Sequence, residues 1–140
     1  MLSRMQFRRL ILVSTALAFA TIDLVHKSFT YAQFHHARTP YVTLLMGALI
    51  AALVILVPRL PSNVAAIAAG IACGGALGNL VSLLAWAQGV PDPFVIAGAT
   101  HGLAFNLADV FAVSGDSVLL SVVILLGLQR RAALREPLSS

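Results

Sequence analysis

The feature that most constrains the fold is a set of four long apolar segments with very few charged residues. They cover approximately residues 10–29, 41–57, 64–86 and 103–128. A helix that crosses a bilayer needs roughly 20 mainly apolar residues, and each segment is close to that length. We therefore predict an all-α integral membrane protein with four transmembrane helices, which form a single membrane domain over residues 1–140.

The composition agrees with a membrane protein and excludes other classes. Hydrophobic residues make up 59% of the chain and charged residues 10%, whereas a soluble domain usually has about a quarter charged residues. The net charge of +4 comes from dispersed basic residues without interleaved aromatic residues, so we expect no nucleic acid partner. Cys73 is the single cysteine, which excludes an internal disulfide.

The first apolar segment permits a second interpretation. A short apolar core follows the basic start, and Ala18-Phe19-Ala20 resembles the cleavage site of a secretory signal peptide. The apolar pattern continues beyond that site through Ile22, Leu24 and Val25. This continuation favours a spanning helix.

Polar and proline-rich segments separate the spans. Residues 30–40 form a short loop, and the two prolines of residues 58–62 end the second helix, while Ser62 is placed to cap the third. Residues 94–104 are apolar but contain glycine, threonine and histidine, which favours a connector at the membrane surface.

Lysine and arginine residues predict the orientation. Four spans place both termini and the turn at 58–62 on one side, together with seven of the nine basic residues: Arg4, Arg8, Arg9, Arg59, Arg130, Arg131 and Arg135. Lys27 and Arg38 fall on the other side. Because basic residues accumulate in cytoplasmic segments, both termini are predicted to be cytoplasmic.

Polar residues of separate spans are predicted to meet near the outer surface. With a rise of about 1.5 Å per residue, Asp23 lies roughly 20 Å from Leu10, and Asn79 lies roughly 22 Å from Val64. The outer end of the fourth helix and the preceding loop contribute Asn106, Asp109 and Asp92. Ionisable residues in a membrane are costly and usually face the bundle interior or a wet cavity. Their convergence at one depth indicates a functional site.

Residue spacing within the helices refines this site. Asp23 and Lys27 have the i, i+4 spacing of an ion pair on one helix face; the alternative is a solvated helix end with an extended lysine. Asn106 and Asp109 share a face of the fourth helix. Asp116 lies seven residues further on, about 10 Å deeper. It is either a buried polar partner or a residue that points into a gap of the bundle, and no chemistry is assigned to it.

Two aspartates at a membrane boundary have a specific chemistry. Like charges a few ångströms apart share one proton, so one carboxylate is able to act as general base on a water and the other as general acid. His26, His35 and His36 lie near the first loop without acidic or cysteine residues at ligand spacing, so no metal or other cofactor is expected. His101 is a possible polar neighbour of the carboxylates.

Small residues recur at every fourth position of the third helix: Ser62, Ala66, Gly70, Gly74, Gly78 and Ser82. Such a ridge permits close approach of membrane helices. We predict that it is a packing surface and brings Asn79 near the fourth helix.

Three motifs resemble the lipoprotein signal peptidase (signal peptidase II) family: Asp23-Leu-Val-His-Lys27, Gly75-Ala-Leu-Gly-Asn79 and Phe105-Asn-Leu-Ala-Asp109, which Gly115 follows. The resemblance implies a four-helix protease of the bacterial cytoplasmic (inner) membrane. It also implies an aspartic endopeptidase whose partners are membrane lipid and the prolipoprotein signal peptide, cleaved before a lipid-modified cysteine. The oligomeric state stays open.

The resemblance also implies roles for individual residues. Asp109 corresponds to one catalytic aspartate and Asp92 most nearly to the other, with polar support from Asp23, Lys27, Asn79 and Asn106. Ser82 and Leu83 stand where the family motif has Asp and Arg. An alternative is therefore a catalytically inactive paralogue that binds lipoproteins or signal peptides as a scaffold. A small transporter or channel subunit is a third alternative, but no inverted repeat is evident.

Overall fold

The computed structural model describes residues 2–37, 39–96 and 102–134. The sequence predictions for Arg38, His101 and Arg135 lie outside this part of the chain.

The described residues contain four long helices in the predicted order. These are α1 (Arg4–Phe29), α2 (Pro40–Leu56), α3 (Asn63–Ala85) and α4 (Leu107–Ala133), with a 3-10 turn at Val57–Arg59 between α2 and α3. All four, with the 3-10 turn counted as the end of the second, are long and apolar enough to cross a membrane. This confirms the prediction of a four-helix membrane protein.

Side-chain caps explain where three of the helices begin. Ser3 and Gln6 form a reciprocal capping box at the start of α1, and Thr39 accepts a hydrogen bond from Val42 N at the start of α2. Ser62 accepts from Ala65 N at the start of α3, as the sequence predicted. Each cap satisfies one of the N–H groups that the first helical turn leaves without a partner.

Helix α3 is the centre of the bundle, and its small residues allow two neighbours to approach closely. A Cβ atom on Gly70 would lie 2.8 Å from Leu12 O of α1, and one on Gly74 would lie 2.8 Å from Ala16 O. On the other side of α3, a Cβ on Gly75 would lie 2.9 Å from Ala112 N of α4. The glycine ridge is therefore a packing surface, as predicted, and a further glycine extends close packing to α4.

Helix α2 packs much more loosely than the other three. All residues of α2 are described, and none of them is fully buried. Only its C-terminal half, around Ile50, Leu53 and Val54, packs against the core cluster. A gap remains between its N-terminal half and the pair formed by α3 and α4.

Within the described residues, four short strands occupy the connections on the side opposite the termini. β1 (Phe34–His36) pairs antiparallel with β2 (Val90–Asp92), and β3 (Phe94–Ile96) pairs antiparallel with β4 (Leu103–Phe105). The sequence analysis predicted only connectors here. α4 accordingly begins at Leu107, four residues after the predicted start of the span at residue 103, because residues 103–105 are engaged in the β3–β4 pair.

The close packing of α3 and α4 generates a prediction for two glycines of α4. A Cβ on Gly115 would lie 2.5 Å from Ala72 N and 2.7 Å from Ala68 O, whereas one on Gly127 would have no neighbour within 4 Å. Overpacking typically costs about 1–3 kcal/mol. Gly115→Ala is expected to lower the free energy of unfolding in detergent micelles by about that amount, and the matched control Gly127→Ala is expected not to lower it. Equal stability of the two variants would contradict the packing of α4 on α3.

Candidate active site

A buried ion pair on α1 forms the inner part of the site. Lys27 Nζ donates to Asp23 Oδ2 at 2.7 Å, and the carboxylate and the ammonium are both inaccessible to solvent. The pair has the predicted i, i+4 spacing, but it is not the solvated helix end that was the alternative. Burial of two charges is costly unless further hydrogen bonds satisfy their remaining donors and acceptors.

Helix α3 supplies those additional partners to the ammonium. Lys27 Nζ donates to Asn79 Oδ1 at 2.8 Å and to Ser82 Oγ at 3.1 Å, so its three protons meet three acceptors. Ser82 Oγ in turn donates to Gly78 O at 2.6 Å. The sequence analysis treated Ser82 as a packing residue and as a departure from the family motif, and did not predict this hydrogen bond, although its position three residues after Asn79 places it on the same helix face.

The other oxygen of Asp23 binds the beginning of α4. Ala108 N donates to Asp23 Oδ1 at 2.9 Å. This N–H belongs to the first turn of α4 and has no intrahelical acceptor, and a carboxylate there is also favoured by the helix dipole. Asp23 therefore holds the C-terminal part of α1 against the beginning of α4.

Asn106 and Asp109 form a reciprocal capping box at the same helix end. Asp109 N donates to Asn106 Oδ1 at 3.2 Å, and Asn106 N donates to Asp109 Oδ2 at 3.1 Å. The second carboxylate oxygen, Asp109 Oδ1, accepts from Asn79 Nδ2 at 2.9 Å. Asp109 is thus fixed through both oxygens, one by its own helix terminus and one by α3.

The strands bring Asp92 to this helix end. Asp92 is the last residue of β2, and Phe94 of β3 pairs with Phe105 of β4. This register places Asp92 beside Asn106, the residue that follows β4. Asn106 Nδ2 donates to Asp92 Oδ1 at 2.6 Å, and both residues are fully buried. Asn106 therefore bridges Asp92 and Asp109.

An aromatic stack fixes the β3–β4 pair on α1. The Phe94 ring stacks on His26 with centroids 5.2 Å apart and packs against Phe105 with centroids 5.4 Å apart. His26 is thereby used for packing, and no group of three metal-ligating side chains occurs within residues 2–37, 39–96 and 102–134. The stack explains why the strand that follows Asp92 keeps a defined position.

Asp109 differs from the rest of the network because it is partly exposed. It lines a cavity of about 330 Å³ between α2 and the α3–α4 pair, whose walls are mostly apolar side chains. On the other side it borders a second cavity of about 600 Å³ along β4 and α4. A group that enters either cavity from the membrane reaches a carboxylate that the protein has oriented in advance.

All six predicted site residues meet in this network: Asp23, Lys27, Asn79, Asp92, Asn106 and Asp109. The arrangement provides two carboxylates bridged by one asparagine: Asp109 lines an apolar cavity, and Asp92 is fully buried beside Asn106. Such a pair is suited to general acid and base work on a bound peptide bond. Ser82 and the Phe94 stack are the members that the sequence analysis missed.

A comparison with protein families gives one finding that covers most of the chain. Residues 5–126 match the family model described as Signal peptidase (SPase) II. The matched range contains all six predicted site residues. No curated protein shows a significant match to the chain.

The buried ammonium generates a prediction about stability. Lys27→Met leaves Asp23 buried without its cation, and removal of one partner of a buried pair typically costs about 3–5 kcal/mol. We expect a loss of that size in the free energy of unfolding in detergent micelles. The double variant Asp23→Asn/Lys27→Met is expected to lose less, because an asparagine is neutral and still accepts the Ala108 N–H bond.

Arg9→Met is the matched control, since Arg9 is an exposed cation near the other end of α1. It is expected to leave the free energy of unfolding almost unchanged. A Lys27→Met variant as stable as this control would show that the ion pair does not hold the bundle together.

Proposed function

The chain belongs to the signal peptidase II family, and from this membership we propose that it is an aspartic endopeptidase acting on prolipoproteins. It removes the signal peptide by cutting before the lipid-modified cysteine. Asp92 and Asp109 are the catalytic pair of this proposal, with Asp23, Lys27, Asn79 and Asn106 as positioning residues.

The observation that carries the proposal is the bridge through Asn106. Its side-chain amide binds Asp92 and its backbone N–H binds Asp109, so the two carboxylates are held at one place although they come from different elements. Preorganised groups need no rearrangement when the reaction begins. The partly exposed Asp109 faces the cavity in which a substrate would lie.

In the proposed reaction the pair shares one proton. One carboxylate takes a proton from a water, whose oxygen attacks the carbonyl carbon of the scissile bond, while the other carboxylic acid protonates the carbonyl oxygen. Collapse of the tetrahedral intermediate breaks the C–N bond: one of its hydroxyls returns a proton to the pair, and the leaving nitrogen receives a proton from the pair. The pair then holds one proton again.

The loose packing of α2 supports a substrate that arrives from within the membrane. The cavity walls on α2 are Val42, Leu45, Met46, Leu49, Ile50 and Leu53. A signal peptide has an apolar central region, which these side chains match. We propose that this region lies between α2 and α4 with its cleavage site near Asp109.

The basic residues support an orientation for this arrangement. Within the described residues, the start of α1, the 3-10 turn and the end of α4 carry Arg4, Arg8, Arg9, Arg59, Arg130 and Arg131. With these arginines in the cytoplasm, the site lies at the outer face of the bacterial cytoplasmic membrane. Both termini are then cytoplasmic.

A second candidate function follows from one departure. Ser82 and Leu83 occupy the positions where the family motif that the chain resembles has Asp and Arg. Ser82 accepts a hydrogen bond from Lys27, so the network is closed without the acidic side chain. An inactive member that binds signal peptides as a scaffold is compatible with this substitution.

The proposed mechanism predicts the effect of removing either carboxylate. Asp109→Asn and Asp92→Asn keep the size of the side chain but remove the proton-transfer group. Each variant is expected to lose at least about 100-fold in cleavage rate, the lower end of the contribution of general acid–base catalysis. The measurement is cleavage of a synthetic lipid-modified prolipoprotein peptide by the purified protein in detergent.

Ser117→Ala is the control on the same helix, because Ser117 Oγ only donates to Val113 O of its own helix. It is expected to retain full activity. Unchanged cleavage by Asp109→Asn would contradict the mechanism. Absence of turnover by the unsubstituted protein, with the peptide still bound, would favour the scaffold function.

A further inference from the structure

Within the described residues, the cavity beside Asp109 is also lined by Asp116, a carboxylate that the proposed reaction does not use. Asp116 lies on α4, two helical turns below Asp109, and lines the same cavity of about 330 Å³ between α2, α3 and α4. Seven residues of helix separate the two carboxylates by roughly 10 Å along the axis. Asp116 is therefore in the membrane-spanning part of the cavity.

Within the described residues Asp116 has no partner of its own. No side chain donates a hydrogen bond to its carboxylate, and no cation is paired with it. Lys27 is engaged with Asp23, Asn79 and Ser82. Arg130, the next basic residue along α4, is fourteen residues away, or about 21 Å along the helix.

An acidic side chain at such a depth is costly and usually marks a position with a partner. The other groups around it, such as Cys73, Ala112 and Met46, are apolar or nearly so and offer no strong hydrogen bond. Asp116 is an exposed residue in the lining of this cavity, so a partner carried by the occupant of the cavity can reach its carboxylate.

We propose that Asp116 is a specificity-determining residue that binds a hydrogen-bond donor in the apolar region of the substrate signal peptide. The donor is a hydroxyl or amine side chain. This inference rests on the proposed function, because it takes the occupant of the cavity to be a signal peptide with its cleavage site at Asp109.

The geometry gives the position of that donor. The signal peptide runs from its cleavage site toward the cytoplasm, past Asp116. A fully helical peptide covers 10 Å in about seven residues, whereas residues in extended conformation next to the cleaved bond each cover about 3.3 Å. The donor is therefore expected about five to seven residues before the scissile bond.

The test is a serine scan of one lipid-modified peptide substrate, from the third to the ninth residue before the scissile bond, against a parent peptide with leucine at those positions. Cleavage by the unsubstituted protein is compared with cleavage by Asp116→Ala. Replacement of Asp116 is expected to lower kcat/KM for the serine substrate relative to the leucine substrate when the serine is at one of the positions five to seven. The expected loss is about threefold to tenfold, the factor for one hydrogen bond.

Two control variants separate this role from a structural one. Asp116→Asn is expected to restore part of the preference, because its amide oxygen still accepts a hydrogen bond. Ser117→Ala, one residue further along α4, is expected to leave the serine-to-leucine ratio unchanged at every position.

The outcomes test this inference and the proposed function separately. Full cleavage of all peptides by Asp116→Ala, with the same serine-to-leucine ratios as the unsubstituted protein, would overturn this inference and leave the proposed function intact. An equal loss on every peptide would also overturn it, because the effect would then be structural. Absence of cleavage by the unsubstituted protein would contradict the proposed function, and this inference with it.

Discussion

The fold depends most on the ammonium group of Lys27, which is inaccessible to solvent. Its three hydrogen bonds connect α1 with α3, and the carboxylate of Asp23 extends the connection to α4 through Ala108 N. A charge in this position is tolerated only when all its donors are satisfied. The relative placement of three helices is thereby fixed at the level of the candidate site.

The glycine ridge and this polar network depend on each other. A Cβ on Gly78 would lie 3.0 Å from Asp23 Cγ and 3.2 Å from Asp23 Cβ, so the absence of a side chain there makes room for the carboxylate. Gly70 and Gly74 bring α1 equally close along the rest of its length. The ridge therefore sets the distance at which Lys27 reaches Asn79 and Ser82.

The helices and five of the six candidate site residues were predictable because they follow from local composition and from helical spacing, whereas Asp92 was assigned from its place in the outer loop and from the family resemblance. Apolar length gave the spans, and depth along the helix axis placed Asp23, Asn79 and Asp109 at one level. The strands were not predictable, because three-residue strands have no periodicity of their own and are held by pairing and by the stack of Phe94 on His26 and Phe105. The later start of α4 has the same cause, since Asn106 caps the helix only after β4 ends.

The bundle combines a rigid part with a loose one, and the two requirements of a membrane protease separate in the same way. The acid and base groups of the proposed reaction must be held within a fraction of an ångström, and the buried network around Asn106 is the rigid part that would hold them. A membrane-embedded substrate needs an opening at the side of the bundle, which requires one helix that is not bound into that network. Helix α2, described along its full length, contributes no hydrogen-bonding side chain to the described network and has no fully buried residue. In the proposed function, displacement of α2 would therefore admit a peptide while the described hydrogen bonds of Asp92 and Asp109 are kept.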